Sequence, residues 1–252
     1  METVASHGVQ IRMNAEYFNC RGYGLSMRPL LVRSIDWFII KYAALKLPKE
    51  IGLRANLEEA GRLLESPHFI HDPEGRRIEL HFEEDGAFEF ESPVRYGPSE
   101  NLSVPGRFFQ SGDWDSCPTV LMIHGYNSEA AYFGVMLMWA RQLEERGFNV
   151  VMFELPFHGA RRPVQPYPIR NYFCGDLLHV SRVFQQTLYE LQGIAGWLRR
   201  QGCPSVGFWG NSLGALIAGN LVSIPGLMDS LVMLTPVVRL GAALDELSFT
   251  RT

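Results

Sequence analysis

The segment VGFWGNSLGALIAG, residues 206–219, decides the fold that this sequence predicts. Its first four residues are a continuous apolar run, which is typical of a strand buried on both faces of a sheet. Two glycines, Gly210 and Gly214, flank Ser212, and an apolar helical pattern begins directly after them. The segment therefore predicts a strand, a tight turn with a serine at its tip, and a helix.

The spacing of the two glycines has a steric cause. A turn this tight brings the backbones of strand and helix together, so Gly210 and Gly214 must lack side chains, and Ala215 keeps the contact close. The first N–H groups of the helix carry a partial positive charge, which favours an oxyanion beside Ser212. We expect Ser212 to be a nucleophile; a structural turn serine is the alternative.

Strands and helices alternate along the chain on both sides of this turn. Continuous apolar runs predict buried strands, and apolar stripes at helical spacing predict helices. The expected strands lie at 120–123, 150–153, 206–209 and 231–234, and the expected helices at 133–143, 180–198 and 213–222. This alternation predicts an α/β fold with a mostly parallel sheet and helices on both faces.

The N-terminal part of the chain is expected to be a helical extension, residues 1–75. Apolar residues recur at helical spacing from Leu30 to Leu45, and a second short helix is expected over 57–64. The first of these helices is expected to pack on the rest of the protein. A peripheral membrane contact through its apolar face is the alternative.

We place the core of the protein at residues 76–252. An antiparallel hairpin is expected at the start of this core. Apolar and polar residues alternate from Ile78 to Phe82 and again from Phe88 to Glu91. The dipeptide Asp85-Gly86 between these stretches is a typical hairpin turn.

The core resembles the α/β-hydrolase superfamily. The resemblance rests on His124-Gly125-Tyr126-Asn127 after one strand, Phe157-His158-Gly159 after the next, and the nucleophile elbow formed by residues 210–214. It implies that the backbone N–H groups of Tyr126 and Leu213 form an oxyanion hole. It also implies hydrolysis of an acyl ester, carried by a small molecule or a lipid, through Ser212.

The resemblance breaks down after the elbow. In the superfamily the acid and then the histidine follow the serine in sequence. All seven histidines here precede Ser212, and 252 − 212 = 40 residues remain. We therefore expect the core to be incomplete at its C-terminus, without its last strands and without the catalytic histidine. A non-catalytic binding or scaffold protein on this fold and an inactive fragment are the alternatives to an active serine hydrolase.

Two residues are candidates for the missing base and acid. His158 follows a strand and lies at the same edge of the predicted sheet as Ser212, although its position also matches a structural loop. Asp245 follows the last expected strand, with a solvated or frayed end as the alternative. We interpret His124 as a structural part of the oxyanion loop and His179 as a packing or surface residue.

Residues near His158 are candidates for substrate contacts. Arg161 and Arg162 have the charge to hold a carboxylate or phosphate group of the substrate. Ion pairing to nearby acids is the alternative. The aromatic loop 163–174 is expected to be either part of a lid over the site or an ordinary packed connection.

Composition and charge narrow the classes of partner. The net charge of −4 gives no reason to expect a nucleic acid. The four cysteines include no C-x-x-C pair, which indicates reduced structural thiols. No P-loop, dinucleotide fingerprint or His-x-x-x-His motif occurs, so no metal or other cofactor is expected. The N-terminus lacks the pattern of a secretory signal, and we expect a cytoplasmic protein.

Overall fold

The computed structural model describes residues 57–126, 132–164, 167–174 and 176–236. The expected helix at 30–45, Asn127 and Asp245 lie outside the described residues. Within these ranges, every helix is too short or too polar to cross a membrane.

In the described part of the chain, seven strands form one mixed sheet in the order β1-β2-β3-β5-β4-β6-β7. They are β1 (His81–Phe82), β2 (Ala87–Glu91), β3 (Ser103–Phe109), β4 (Thr119–Ile123), β5 (Asn149–Phe153), β6 (Val206–Asn211) and β7 (Ser230–Leu234). The pairings from β1 through β2 and β3 to β5 are antiparallel, and those from β5 through β4 and β6 to β7 are parallel. Only β1 and β3 therefore run against the other strands, which confirms the expected α/β fold.

The helices of the described residues connect and cover these strands. They are α1 (Leu57–Glu65), α2 (Ser99–Leu102), α3 (Leu137–Glu144), α4 (Leu177–Arg200) and α5 (Leu213–Asn220). A π-helical turn, Tyr132–Met136, leads into α3, and a short 3₁₀ turn, Gly159–Arg161, follows β5. The Asp176 carboxylate caps α4 by accepting hydrogen bonds from the amides of Leu178 and His179 at 3.0 and 3.2 Å.

The central strands bury side chains on both faces of the sheet. Leu121, Val151 and Phe153 belong to a core that also contains apolar residues of α4 and α5. Met122 and Met152 point the other way, into a second core with Ala140 of α3. This alternation is the period of two that a strand imposes, and each fully buried large side chain stabilises the fold by about 1.5–3 kcal/mol. Helices therefore cover both faces, as expected.

The expected hairpin forms, but its first strand is shorter than the alternation indicates. Ile78 and Leu80 are buried in the core, yet β1 contains only His81 and Phe82. The Ile78 carbonyl accepts a hydrogen bond of 2.9 Å from the guanidinium of Arg200 on α4. The first half of the stretch therefore forms no ladder with a described strand, and the Arg200 side chain satisfies the Ile78 carbonyl instead.

The short helix expected at 57–64 is observed as α1 and packs against α4. Arg182 of α4 forms an ion pair of 2.6 Å with Glu59 of α1. The ring of Phe69, after α1, stacks on Phe184 of α4. All described residues fall within one compact unit that spans Glu50–Val238. We placed α1 in the N-terminal extension, but it packs directly on the core.

Candidate active site

Ser212 lies between the end of β6 and the start of α5 in a strained backbone conformation. Its φ of 51° and ψ of −110° belong to a region that residues with a side chain rarely adopt. The Ser212 amide donates a hydrogen bond of 2.9 Å to the carbonyl of Leu234, and its carbonyl accepts one of 3.1 Å from the amide of Leu216. These bonds hold the strained turn between β7 and α5, and strain of this kind is concentrated at functional sites.

The glycines on either side of Ser212 are required by close backbone contacts. A Cβ atom on Gly214 would overlap the carbonyl oxygen of Ile123 and lie 2.7 Å from that of His124. A Cβ atom on Gly210 would overlap the carbonyl oxygen of Gly214 and lie 2.6 Å from the amide nitrogen of Ala215. The two glycines therefore allow the elbow to close on itself and to lie directly against the end of β4.

The loop after β4 and the turn at Ser212 lie at the same edge of the sheet. β4 and β6 pair in parallel with Ile123 opposite Gly210, so the residues that follow both strands leave the sheet side by side. Tyr126 is on the loop after β4, and the fully buried Leu213 is the first residue of α5. The structure thus brings the two expected oxyanion donors to the edge that carries Ser212.

His124 is fixed by hydrogen bonds at both ring nitrogens. Nδ1 lies 2.8 Å from the carbonyl oxygen of Gly125, and Nε2 accepts a hydrogen bond of 3.0 Å from the amide of Leu155. Because a carbonyl oxygen only accepts, the ring proton must be on Nδ1. The buried His124 ring therefore joins the loop after β4 to the loop after β5, which agrees with its interpretation as a structural residue.

His158 is buried in an aromatic cluster after β5. Its Nδ1 donates a hydrogen bond of 2.9 Å to the Pro156 carbonyl, and its ring packs against those of His124, Tyr126 and Tyr172. Burial lowers the pKa of His158 to about 4, against a smaller upward effect of the Pro156 bond. Among the described residues no hydrogen bond joins His158 to Ser212, and a pKa this low makes it a weak base at neutral pH.

The buried His158 ring is expected to make stability depend on pH. The unfolded chain takes up a proton near pH 6.5, whereas the folded chain takes it up only near pH 4. Stability should therefore fall as the pH decreases from 6.5 to 4, by about 3 kcal/mol from this group, and should not depend on it above 6.5. Urea unfolding across this pH range would measure the effect. The slope should flatten in His158→Asn and persist in His81→Asn, a variant of an exposed histidine; equal slopes in both variants would contradict the assignment.

Arg161 is completely buried and is paired with an acid rather than presented to a substrate. Its guanidinium forms two hydrogen bonds, of 2.7 and 2.9 Å, with the carboxylate of Glu190 on α4. It also donates to the carbonyl oxygens of Glu154 at 2.8 Å and Asn101 at 2.7 Å. Arg161 therefore fits the alternative expectation, in which it pairs with a nearby acid. Arg162 is half-buried and donates from Nε to the Phe157 carbonyl at 3.2 Å.

The buried polar residues that surround Arg161 were not predicted from the sequence. Asn101 of α2 accepts a hydrogen bond of 3.2 Å from the amide of Phe157, whose φ is +58°. Gln186 and Ser92 donate to the Glu190 carboxylate at 3.0 and 2.6 Å. The available signal was Glu190 itself, because an acid inside an apolar helical stripe requires a buried partner.

The described part of the aromatic loop is packed against the protein. The Tyr172 side chain is fully buried, with its hydroxyl 3.2 Å from that of Thr187, and Phe173 contacts the Tyr126 ring at a centroid distance of 5.0 Å. His179, at the start of α4, is buried with Nε2 donating to the Asn171 carbonyl at 3.0 Å. Tyr172 and Phe173 therefore belong to an ordinary packed connection, which was one of the two expectations for this loop. His179 is a packing residue.

No protein-family profile matches this sequence, and a comparison with curated proteins gives no significant match. Among solved structures, an esterase from Pyrococcus furiosus is 22% identical over 65% of this chain and 54% of its own chain, with a TM-score of 0.45. A soluble variant of monoglyceride lipase from Saccharomyces cerevisiae, in complex with a substrate analogue, is 18% identical over 68% of this chain and 49% of its own, with a TM-score of 0.43.

A probable hydrolytic enzyme from Pseudomonas aeruginosa is 16% identical over 64% of this chain and 43% of its own, with a TM-score of 0.41. The chain spans about half the length of these solved structures. The strand order, in which β3 lies antiparallel beside β5, is that of an α/β-hydrolase fold. The strained serine between β6 and α5 also matches this fold.

Proposed function

We propose that this protein is a serine hydrolase that cleaves carboxylic esters of small molecules or lipids through Ser212. The observation that carries the proposal is the strained conformation of Ser212 at the junction of β6 and α5. A turn of this shape exposes a serine hydroxyl at the sheet edge while the following helix directs its first N–H groups toward the same place.

The residues have distinct roles in the proposed reaction. Ser212 Oγ attacks the ester carbonyl, and the carbonyl oxygen takes on a negative charge. The N–H groups of Leu213 and Tyr126 donate hydrogen bonds to this oxygen, and stabilisation of this kind is worth about 2.7–4 kcal/mol per donor. Collapse of the intermediate breaks the ester C–O bond, and the leaving alkoxide takes up the proton that Ser212 released and departs as the alcohol. The acyl group stays on Ser212 until water releases it as a carboxylic acid.

No hydrogen bond between described residues joins Ser212 to a histidine that could accept its proton. His158 remains the candidate by its place after β5, but its pKa of about 4 opposes the role. Asp245, the candidate acid, lies outside the described residues. Hydrolases without a working base retain about 10³–10⁴-fold catalysis over water from the oxyanion hole and binding. We therefore expect acylation of Ser212 by reactive esters even if His158 contributes nothing.

Covalent labelling with a fluorophosphonate tests the proposal. The probe should modify Ser212 of the full chain, as located by peptide mass spectrometry, because its phosphorus is attacked in the same way as an ester carbonyl. Labelling should disappear in Ser212→Ala and persist in Ser223→Ala, which removes an exposed hydroxyl just after α5. Equal labelling of both variants, or none of the unmodified chain, would reject the proposal.

A non-catalytic binding protein on the same fold is the second candidate. The observation that favours it is the structural use of the buried histidines, since both ring nitrogens of His124 and of His179 are hydrogen-bonded. On this alternative, the chain gives no acyl-serine with p-nitrophenyl acetate or octanoate but binds a non-hydrolysable ester analogue saturably. Acyl transfer to Ser212 from either ester would exclude it.

A further inference from the structure

Three hydrogen bonds run in series from Arg161 to the oxyanion loop. The guanidinium Nη1 donates to the carbonyl oxygen of Glu154 at 2.8 Å. The amide of Leu155 donates to Nε2 of His124 at 3.0 Å. Nδ1 of the same ring donates to the carbonyl oxygen of Gly125 at 2.8 Å. The first bond therefore ends on the peptide group between Glu154 and Leu155, and the amide of that group donates the second bond. The second bond ends on the His124 ring, whose Nδ1 donates the third bond.

The two peptide groups in this series fix the direction of their own N–H bonds. The Glu154 carbonyl and the Leu155 amide belong to one peptide group, and the Gly125 carbonyl and the Tyr126 amide belong to another. In a trans peptide the C=O and N–H bonds point in opposite directions within one plane. A hydrogen bond that holds the Gly125 oxygen therefore also determines where the Tyr126 N–H points, and this N–H is the proposed oxyanion donor.

The His124 ring connects the two peptide groups in only one tautomer. Nε2 must be unprotonated to accept from Leu155, and Nδ1 must carry the proton to donate to Gly125. All donors in the series then point toward the oxyanion site. Hydrogen bonds aligned in this way polarise one another, by about 10–30% per bond, so the series also strengthens the last N–H as a donor.

Arg161 is a fixed starting point for the series. Its side chain is fully buried, and the two hydrogen bonds to Glu190 hold the guanidinium plane against α4. The carbonyl of Asn101 accepts a further bond from Nη2 at 2.7 Å. The guanidinium therefore has no freedom to swing away from the Glu154 carbonyl.

We propose that Arg161 is a positioning residue for the oxyanion hole, which orients and polarises the Tyr126 N–H through the Glu154–Leu155 peptide and the His124 ring. The proposal rests on the proposed function, in which the Tyr126 N–H stabilises the oxyanion. It gives the ion pair between Arg161 and Glu190 a role beyond the stability of the core.

The double variant Arg161→Met with Glu190→Gln tests the proposal without leaving an unpaired buried charge. With p-nitrophenyl acetate, kcat should fall about tenfold while KM stays unchanged, because the donor remains but loses its orientation; complete loss of a donor costs about 10²–10³ in kcat. The matched control is Arg199→Met with Asp229→Asn, which removes the ion pair at the opposite end of β6. An equal loss in the control, or an unchanged kcat in the double variant, would overturn the proposal.

Two further measurements do not need activity. Nitrogen-15 NMR of the His124 ring should show a protonated Nδ1 and an unprotonated Nε2, and the reverse would overturn the proposal. Hydrogen exchange of the Leu155 amide should be faster in the double variant than in the control, and equal rates would also overturn it. If the unmodified chain gives no labelling at Ser212, the proposed function fails, while these two results still decide whether Arg161 fixes the loop.

Discussion

Replacing Gly214 with alanine is expected to lower the free energy of unfolding by about 3 kcal/mol, at the upper end of the usual cost of overpacking a core. The added methyl group would overlap the carbonyl oxygen of Ile123 and lie 2.7 Å from that of His124. Both neighbours are backbone atoms at the end of β4, where Ile123 is fully buried, so they have no rotamer by which to move away. Urea unfolding at a fixed pH would measure the change.

Gly219→Ala is the matched control for this prediction, because Gly219 lies in the same helix. Of the residues that the structure describes, a Cβ atom there would contact only the Met233 sulfur, at 3.5 Å, which is an ordinary van der Waals distance. Alanine also favours the helix by about 0.5–1 kcal/mol over glycine, so this variant should be neutral or slightly more stable. Similar stabilities of the two variants would contradict the close contact between Gly214 and the end of β4 that the structure shows.

The strands that the sequence predicted correctly share a local signal. The runs expected at 120–123, 150–153 and 231–234 differ from β4, β5 and β7 by one residue at their first position. β4 and β5 are almost entirely buried on both faces, so their apolar runs end where the strands end and the boundaries are visible in the sequence. β7 has the same kind of apolar run, although its residues are exposed or only partly buried.

β3 was not predicted, although it pairs with two strands. It contains Pro105 and Gly106, and both residues are normally signs against a central strand. A Cβ atom on Gly106 would overlap the ring of Phe88 and lie 2.5 Å from the carbonyl oxygen of Met152. The glycine is thus required by an aromatic ring from another strand, and no local pattern contains that information.

In the candidate site, some residues could be predicted from local spacing and others could not. Ser212, Leu213 and the two glycines belong to one continuous turn, so residue spacing was enough to predict them. The ion pair between Arg161 and Glu190 joins residues 29 positions apart, and the contact of Arg161 with Asn101 joins residues 60 positions apart. These residues become partners only through the packing of α4 against α2 and the turn after β5, so their chemistry could not be derived from spacing.

Glu190→Gln is expected to lower the free energy of unfolding by about 3–5 kcal/mol, because it leaves the Arg161 guanidinium buried without a counter-charge. The carboxylate accepts four hydrogen bonds, two from Arg161 and one each from Ser92 and Gln186. The amide of glutamine has nearly the same shape, but its NH₂ group faces donors where an acceptor is required. The loss should therefore reflect charge and hydrogen bonding rather than a cavity.

An exposed ion pair between α1 and α4 provides the comparison. Glu59→Gln breaks the ion pair with Arg182, whose two side chains are both about half exposed, and such pairs contribute about 0–1 kcal/mol. Adding Arg161→Met to Glu190→Gln should restore most of the lost stability, since it removes the stranded charge together with its partner. The outcome that contradicts this prediction is a loss in the free energy of unfolding for Glu190→Gln no larger than that for Glu59→Gln. Arg161 would then not be held as a buried cation, and the proposal that it fixes the Glu154 carbonyl would be wrong.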